Sequence, residues 1–251
     1  MRYVLTVLVG NLILASILWV GVSRFYQYDV FASKEARESV RVTDEQMQEL
    51  LDSRLKADMI VYAVIGAVLV ATAGCCSASP AHQPSRATGL ITGMLLGAVG
   101  GAASGYLGNQ HDLNVNFPTD PMLYWIARWA IIYTPIGLAA GVAVASSLRW
   151  KNVTDSVAAA LVGVGASVVI YCLLSGTITP NESHERVLPG QNSNRLLMLL
   201  TAFGVIPTVL AWNTERFKKS PALADQVSDQ SAETTSEADP PPSTTEAEGQ
   251  A

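Results

Sequence analysis

The sequence predicts an all-α protein: a polytopic bundle that crosses a lipid bilayer about six times, with a further juxtamembrane helix in its first loop. Three observations predict this class. Of the 251 residues, 49% are hydrophobic and only 15% charged, where a soluble chain carries about 25% charge. The apolar residues gather into six runs, and about 20 apolar residues in a helix span the hydrocarbon core. Backbone groups in lipid find no water, so each run must satisfy its own hydrogen bonds as a helix.

The runs cover 3–22, 59–76, 87–108, 129–148, 153–175 and 196–212. The second and sixth are the shortest, which makes five spans the alternative count. The first run is longer than the apolar core of a secretory leader, and no small-x-small pattern follows it. It is expected to stay as an anchor. Asn11 is its lone amide side chain and is expected to form an interhelical hydrogen bond.

The first loop carries its own helix signal. Thr43-Asp44-Glu45-Gln46 is a capping box. Met47, Leu50, Leu51 and Leu55 follow as an apolar stripe at helical spacing, and Asp44, Glu45, Glu49 and Asp52 sit where the helix dipole favours acids. A helix over 44–57 is expected to run into the second span and to pack its stripe on the protein itself.

The third run is dominated by glycine. Gly89, Gly93, Gly97, Gly101 and Gly105 recur at every fourth position, and at 100° per residue they fall on one arc of about 160°. Glycine costs about 1 kcal/mol against alanine in an aqueous helix, but in a membrane small residues let two backbones approach closely. This is a glycine-zipper pattern. Gly137, Gly141 and Ala145 form a similar row in the fourth span, and Ala159, Gly163 and Ser167 in the fifth. The third span is therefore expected to be the packing hub, set against the fourth or fifth at a right-handed crossing of about −40°. A second copy of the chain or a water-filled pore are the other occupants that such a face could accept.

Few residues offer chemistry. Arg128 lies near the start of the fourth span between Trp125 and Trp129, and is expected to snorkel to the interface or to pair with Asp112 or Asp120. Asp58 and Asp155 read as span-start residues. Pro135 and Pro207 interrupt the fourth and sixth spans and are expected to kink them. Ala102-Ala103-Ser104-Gly105 approaches a serine-nucleophile motif, but its first glycine is missing. A serine nucleophile also needs a base, and His82, His111 and His184 all lie in loops. Cys75, Cys76 and His82 make an incomplete ligand set. No Gly-Lys-Ser/Thr phosphate loop occurs. No catalytic, metal or cofactor site is assigned, and no nucleic-acid partner is expected.

Charge divides the chain. Net charge is −5, yet seven acidic residues and no basic ones follow Lys219. The segment 220–251 is rich in Pro, Ser, Thr and Glu, and is expected to be a disordered acidic tail with a role open for a protein partner. Basic residues at Arg149, Lys151, Arg216, Lys218 and Lys219, against a loop 109–121 without Lys or Arg, favour cytoplasmic N- and C-termini. Arg24, Lys34, Arg37, Arg41, Arg54 and Lys56 in the first loop oppose that orientation. The expected home is a bacterial inner membrane. The expected role is a non-enzymatic structural or interaction protein packed around the glycine-rich helix, with a channel or transporter for a small solute as the alternative.

Overall fold

The computed structural model describes residues 2–26, 30–38, 43–77, 83–114, 121–148, 150, 153–178, 189 and 192–236. Among these described residues seven helices follow in order: α1 (Arg2–Phe25), α2 (Lys34–Glu38), α3 (Asp44–Ser77), α4 (Gln83–Asn114), α5 (Pro121–Ser147), α6 (Val153–Ile178) and α7 (Asn192–Ser236). All but α2 are long and apolar enough to cross a membrane. The chain is an integral, multi-pass, all-α membrane protein. It separates into two compact units, Met1–Thr214 and Glu215–Ala251; the first holds the bundle. Of the segment expected to be a tail, 220–236 continues α7 and 237–251 lies outside the described residues.

The start of α3 follows its sequence signal. The Thr43 amide donates to Gln46 Oε1 at 3.0 Å and the Gln46 amide to Thr43 Oγ1 at 3.3 Å. These reciprocal bonds satisfy donors that a helix start leaves open. From there α3 runs unbroken into the second span. The Phe31 amide donates to Ser53 Oγ at 3.1 Å, and Ser33 donates its amide and hydroxyl to the Glu49 carboxylate at 2.7 and 3.0 Å. The apolar stripe is less covered than expected: Met47 is 50% and Leu51 43% exposed, because this part of α3 projects past the packed spans.

Against the glycine row of α4 stands α3. A Cβ built on Gly105 would lie 2.8 Å from the Asp58 carbonyl oxygen, one on Gly93 2.6 Å from that of Val70, and one on Gly89 2.6 Å from that of Gly74. On Gly101 and Gly97 it would overlap the carbonyls of Tyr62 and Gly66. Each step of four along α4 thus answers a step of four back along α3, and the two helices are antiparallel neighbours over the whole row. A contact row advancing in fours drifts by about 40° per step, so the pair must wrap in a right-handed sense to keep it. The row itself thus faces the second span and not the fourth or fifth as expected, although the fourth span, α5, does pack on α4. α5 touches α4 beside the row, where a Cβ on Gly100 would meet the Pro135 carbonyl at 2.8 Å.

The other small residues serve the remaining seams. Gly137 and Gly141 of α5 face Val164 and Val157 of α6, and Gly163 of α6 faces Ile206 and Val209 of α7. The shared core is built mainly from α3, α5, α6 and α7, joined by Ala15 of α1, with Tyr62, Ile65, Trp129, Ile136, Tyr171 and Phe203 all buried. Outward, Ile91, Leu95 and Val99 of α4 are 58, 66 and 70% exposed, the apolar face that lipid accepts. Pro135 and Pro207 lie within continuous helices. The end of α5 is closed by the Trp150 amide, which donates to Ala145 O at 2.7 Å with Trp150 at φ 61°.

α1 stands apart in how little of it is covered. Only 17% of its most apolar window is buried, along Val7, Asn11 and Ala15. Asn11 does not reach another helix: its Nδ2 donates to Val7 O at 2.8 Å in its own helix, and its buried Oδ1 accepts no hydrogen bond.

Candidate functional site

Alternating spans deliver the exit of α1, the 58–62 stretch of α3, the last turns of α4, the first turns of α5 and the start of α7 to one end of the bundle. Asp58 sits at the middle of this end and is 1% exposed. It lies on the same helical face as Tyr62, Ile65 and Leu69, which enter the core, so its carboxylate is drawn inward.

A charge buried in an apolar setting needs partners, and Asp58 has them from three segments. Tyr26, just past α1, donates its hydroxyl to Oδ1 at 2.5 Å. Asn109 of α4 donates Nδ2 to Oδ2 at 3.0 Å and to Gly105 O at 3.0 Å. Arg54, one turn earlier on α3, places Nε 3.9 Å from Oδ2. From α7, the Arg195 guanidinium lies 5.2 Å from the centre of the Tyr26 ring, and its Nε donates to Pro189 O at 2.6 Å. Burial first, then the charge and hydrogen bond of Asp58, pushes the Tyr26 phenol well above its ordinary pKa. Tyr26 therefore remains a neutral donor.

A second polar group is buried on α5. Arg128 is 1% exposed, with its guanidinium 5.4 Å from the Trp125 ring centre. The snorkelling expected of Arg128 is corrected: seven residues into α5, its side chain turns into the bundle. Tyr62 lies within electrostatic reach of Tyr133, Asp58, Tyr171 and Arg128 and donates its hydroxyl to Met198 Sδ at 3.6 Å. Trp129 packs edge-on against Tyr171 at 4.9 Å and beside Tyr133 at 5.9 Å. Ser175 of α6 donates to Asn194 Oδ1 of α7 at 3.4 Å.

Such a set can hold charge and tie helices together. Among the described residues no three His, Cys, Asp or Glu side chains converge as metal ligands. Cys75, Cys76 and Cys172 are free thiols. His82, His184 and Asp120 lie outside the described residues, as do the side chains of His111 and Asp112. Ser104 is buried and donates to Gly100 O at 2.9 Å, which suits a small residue in a helix seam. Asn11, Pro135 and Pro207 are not part of the Asp58 cluster's hydrogen bonds. The Tyr26–Asp58–Asn109 set was missed by the sequence reading; the usable signal was Asp58 in register with Arg54 and Tyr62. The chain matches no known protein family, no curated protein and no solved structure.

Proposed function

We propose that this chain is a non-enzymatic structural or interaction protein of the membrane, organised around a glycine zipper formed by Gly89, Gly93, Gly97, Gly101 and Gly105. The observation that carries this reading is the α3–α4 seam, where an added Cβ would press on backbone at every one of those glycines. A face so closely met by its own chain has no width for a solute path, and it is not free for a second copy. Gly137, Gly141 and Gly163 extend the same close packing across the bundle. The lipid bilayer is then the principal partner, and the acidic segment 220–251 is the place for a protein partner. A bacterial inner membrane with both termini cytoplasmic is the proposed setting.

Two experiments test this. Reconstituted liposomes should show no flux of ions or small solutes above that of protein-free vesicles. Pull-down from membranes should lose its specific partners when 220–251 is removed.

A channel or transporter is the second reading, and one observation favours it. Asp58 and Arg128 are both buried near the membrane boundary, and ionisable residues in such places often mark ion or substrate paths. Flux that vanishes in Asp58→Asn or Arg128→Gln vesicles would replace the first reading with the second.

A further inference from the structure

We propose that Asp58 is the catch of a latch that fastens α1 to the bundle, and that release of α1 is a conformational step built into the fold. The inference is independent of whether the protein is a scaffold or a transporter.

Two contrasting observations lead to it. Along its length α1 is lightly covered, resting on the core through one side only, Leu14, Ala15, Leu18 and Trp19. Its apolar window is 17% buried, against 33–61% for the other spans, and Asn11 brings a buried acceptor with no donor into its packed face. Gly10 and Gly21 have open space around them. In lipid there is little hydrophobic drive to keep such a helix attached. At its exit, by contrast, α1 is tied strongly. Tyr26 donates to the Asp58 carboxylate, its ring lies beneath Arg195 of α7, and the same carboxylate accepts from Asn109 of α4. Hydrogen bonds to a charged acceptor are stronger than neutral ones. A helix with a lightly covered body and one firm end is free to swing when that end lets go. What it would uncover is the α7 surface at Gly204, where Leu8 and Leu12 now rest.

Thiol labelling tests this on the full chain in membranes. In a background with Cys75, Cys76 and Cys172 changed to Ala, Val22→Cys places a thiol at the packed exit of α1. Ala211→Cys places one on α7, where Ala211 is 1% exposed, away from the latch. Labelling by a polar maleimide reads the open population. Tyr26→Phe removes one hydroxyl and should raise the Val22→Cys labelling rate about ten-fold or more, with Ala211→Cys unchanged. Asp58→Asn should act in the same direction. Unchanged labelling at both sites would overturn the latch. An equal rise at both sites would also overturn it, since Asp58 would then be a general stabiliser of the bundle.

Discussion

Gly93→Ala is expected to weaken the bundle by about 2 kcal/mol. The added Cβ would sit 2.6 Å from Val70 O, 2.7 Å from Ala71 Cα and 2.9 Å from Ala71 N. These are backbone atoms, which no rotamer change can move. To restore ordinary contact α4 must retreat by about 0.8 Å, and a gap of about 0.5–1 Å forfeits a quarter to a half of each contact's attraction. Overpacking of this kind costs about 1–3 kcal/mol, while the better helix propensity of alanine returns up to about 1 kcal/mol. Gly165→Ala is the matched control, because a Cβ there meets nothing within 4 Å; it should be neutral or slightly stabilising. Unfolding followed by circular dichroism during denaturant titration in mild micelles measures both. If Gly93→Ala proves as stable as Gly165→Ala, the argument that these glycines exist for close approach is refuted.

Other outcomes follow from individual groups. Asn11→Leu should stabilise the protein by about 1 kcal/mol in the same assay, since it removes a buried acceptor that has no donor. Thr43→Ala should cost about 1 kcal/mol and speed amide exchange at Glu45 and Gln46, because it breaks the capping box that begins α3. Tyr26 gives a pH test. Its folded pKa is raised, so its contribution is complete below the unfolded value of about 10 and declines as pH rises beyond it, by up to about 1.4 kcal/mol per pH unit. Stability of the native protein should therefore fall more steeply above pH 10 than that of Tyr26→Phe; equal slopes would argue that the Tyr26 phenol is not shifted.

The helices were legible because their cause is local. Apolar run length sets a span, and Thr43 with Gln46 lies within a single turn of the helix that it starts. The smooth arc of α4 was equally plain, but its partner was not. The answering row on α3 is 58, 62, 66, 70 and 74, in which only Gly66 and Gly74 are glycines. Tyr62 and Val70 contribute backbone carbonyls to the seam, Val70 setting its Cβ against Gly97 as well, and no search for small residues detects that. The Asp58 cluster was hidden for a different reason. Its bonds join residues 32 and 51 positions apart, and an aspartate at the head of an apolar run reads as an interfacial residue until the helices beside it are known. Arg128 misled in the same way: position in a span says how far the water is, not which side of the helix is wrapped.

The unbroken course of α3 has a mechanical consequence. Its 34 residues extend about 50 Å, while the hydrocarbon core is about 30 Å thick. The part from Asp58 back to Asp44 is a stiff arm of about 21 Å, and the bonds from Phe31 and Ser33 fix the loop to its side. A tilt of about 10° at the Asp58 pivot would carry the tip through about 4 Å, by simple lever geometry on that length. A small adjustment among buried side chains thus becomes a displacement large enough for a neighbouring molecule to register outside the membrane.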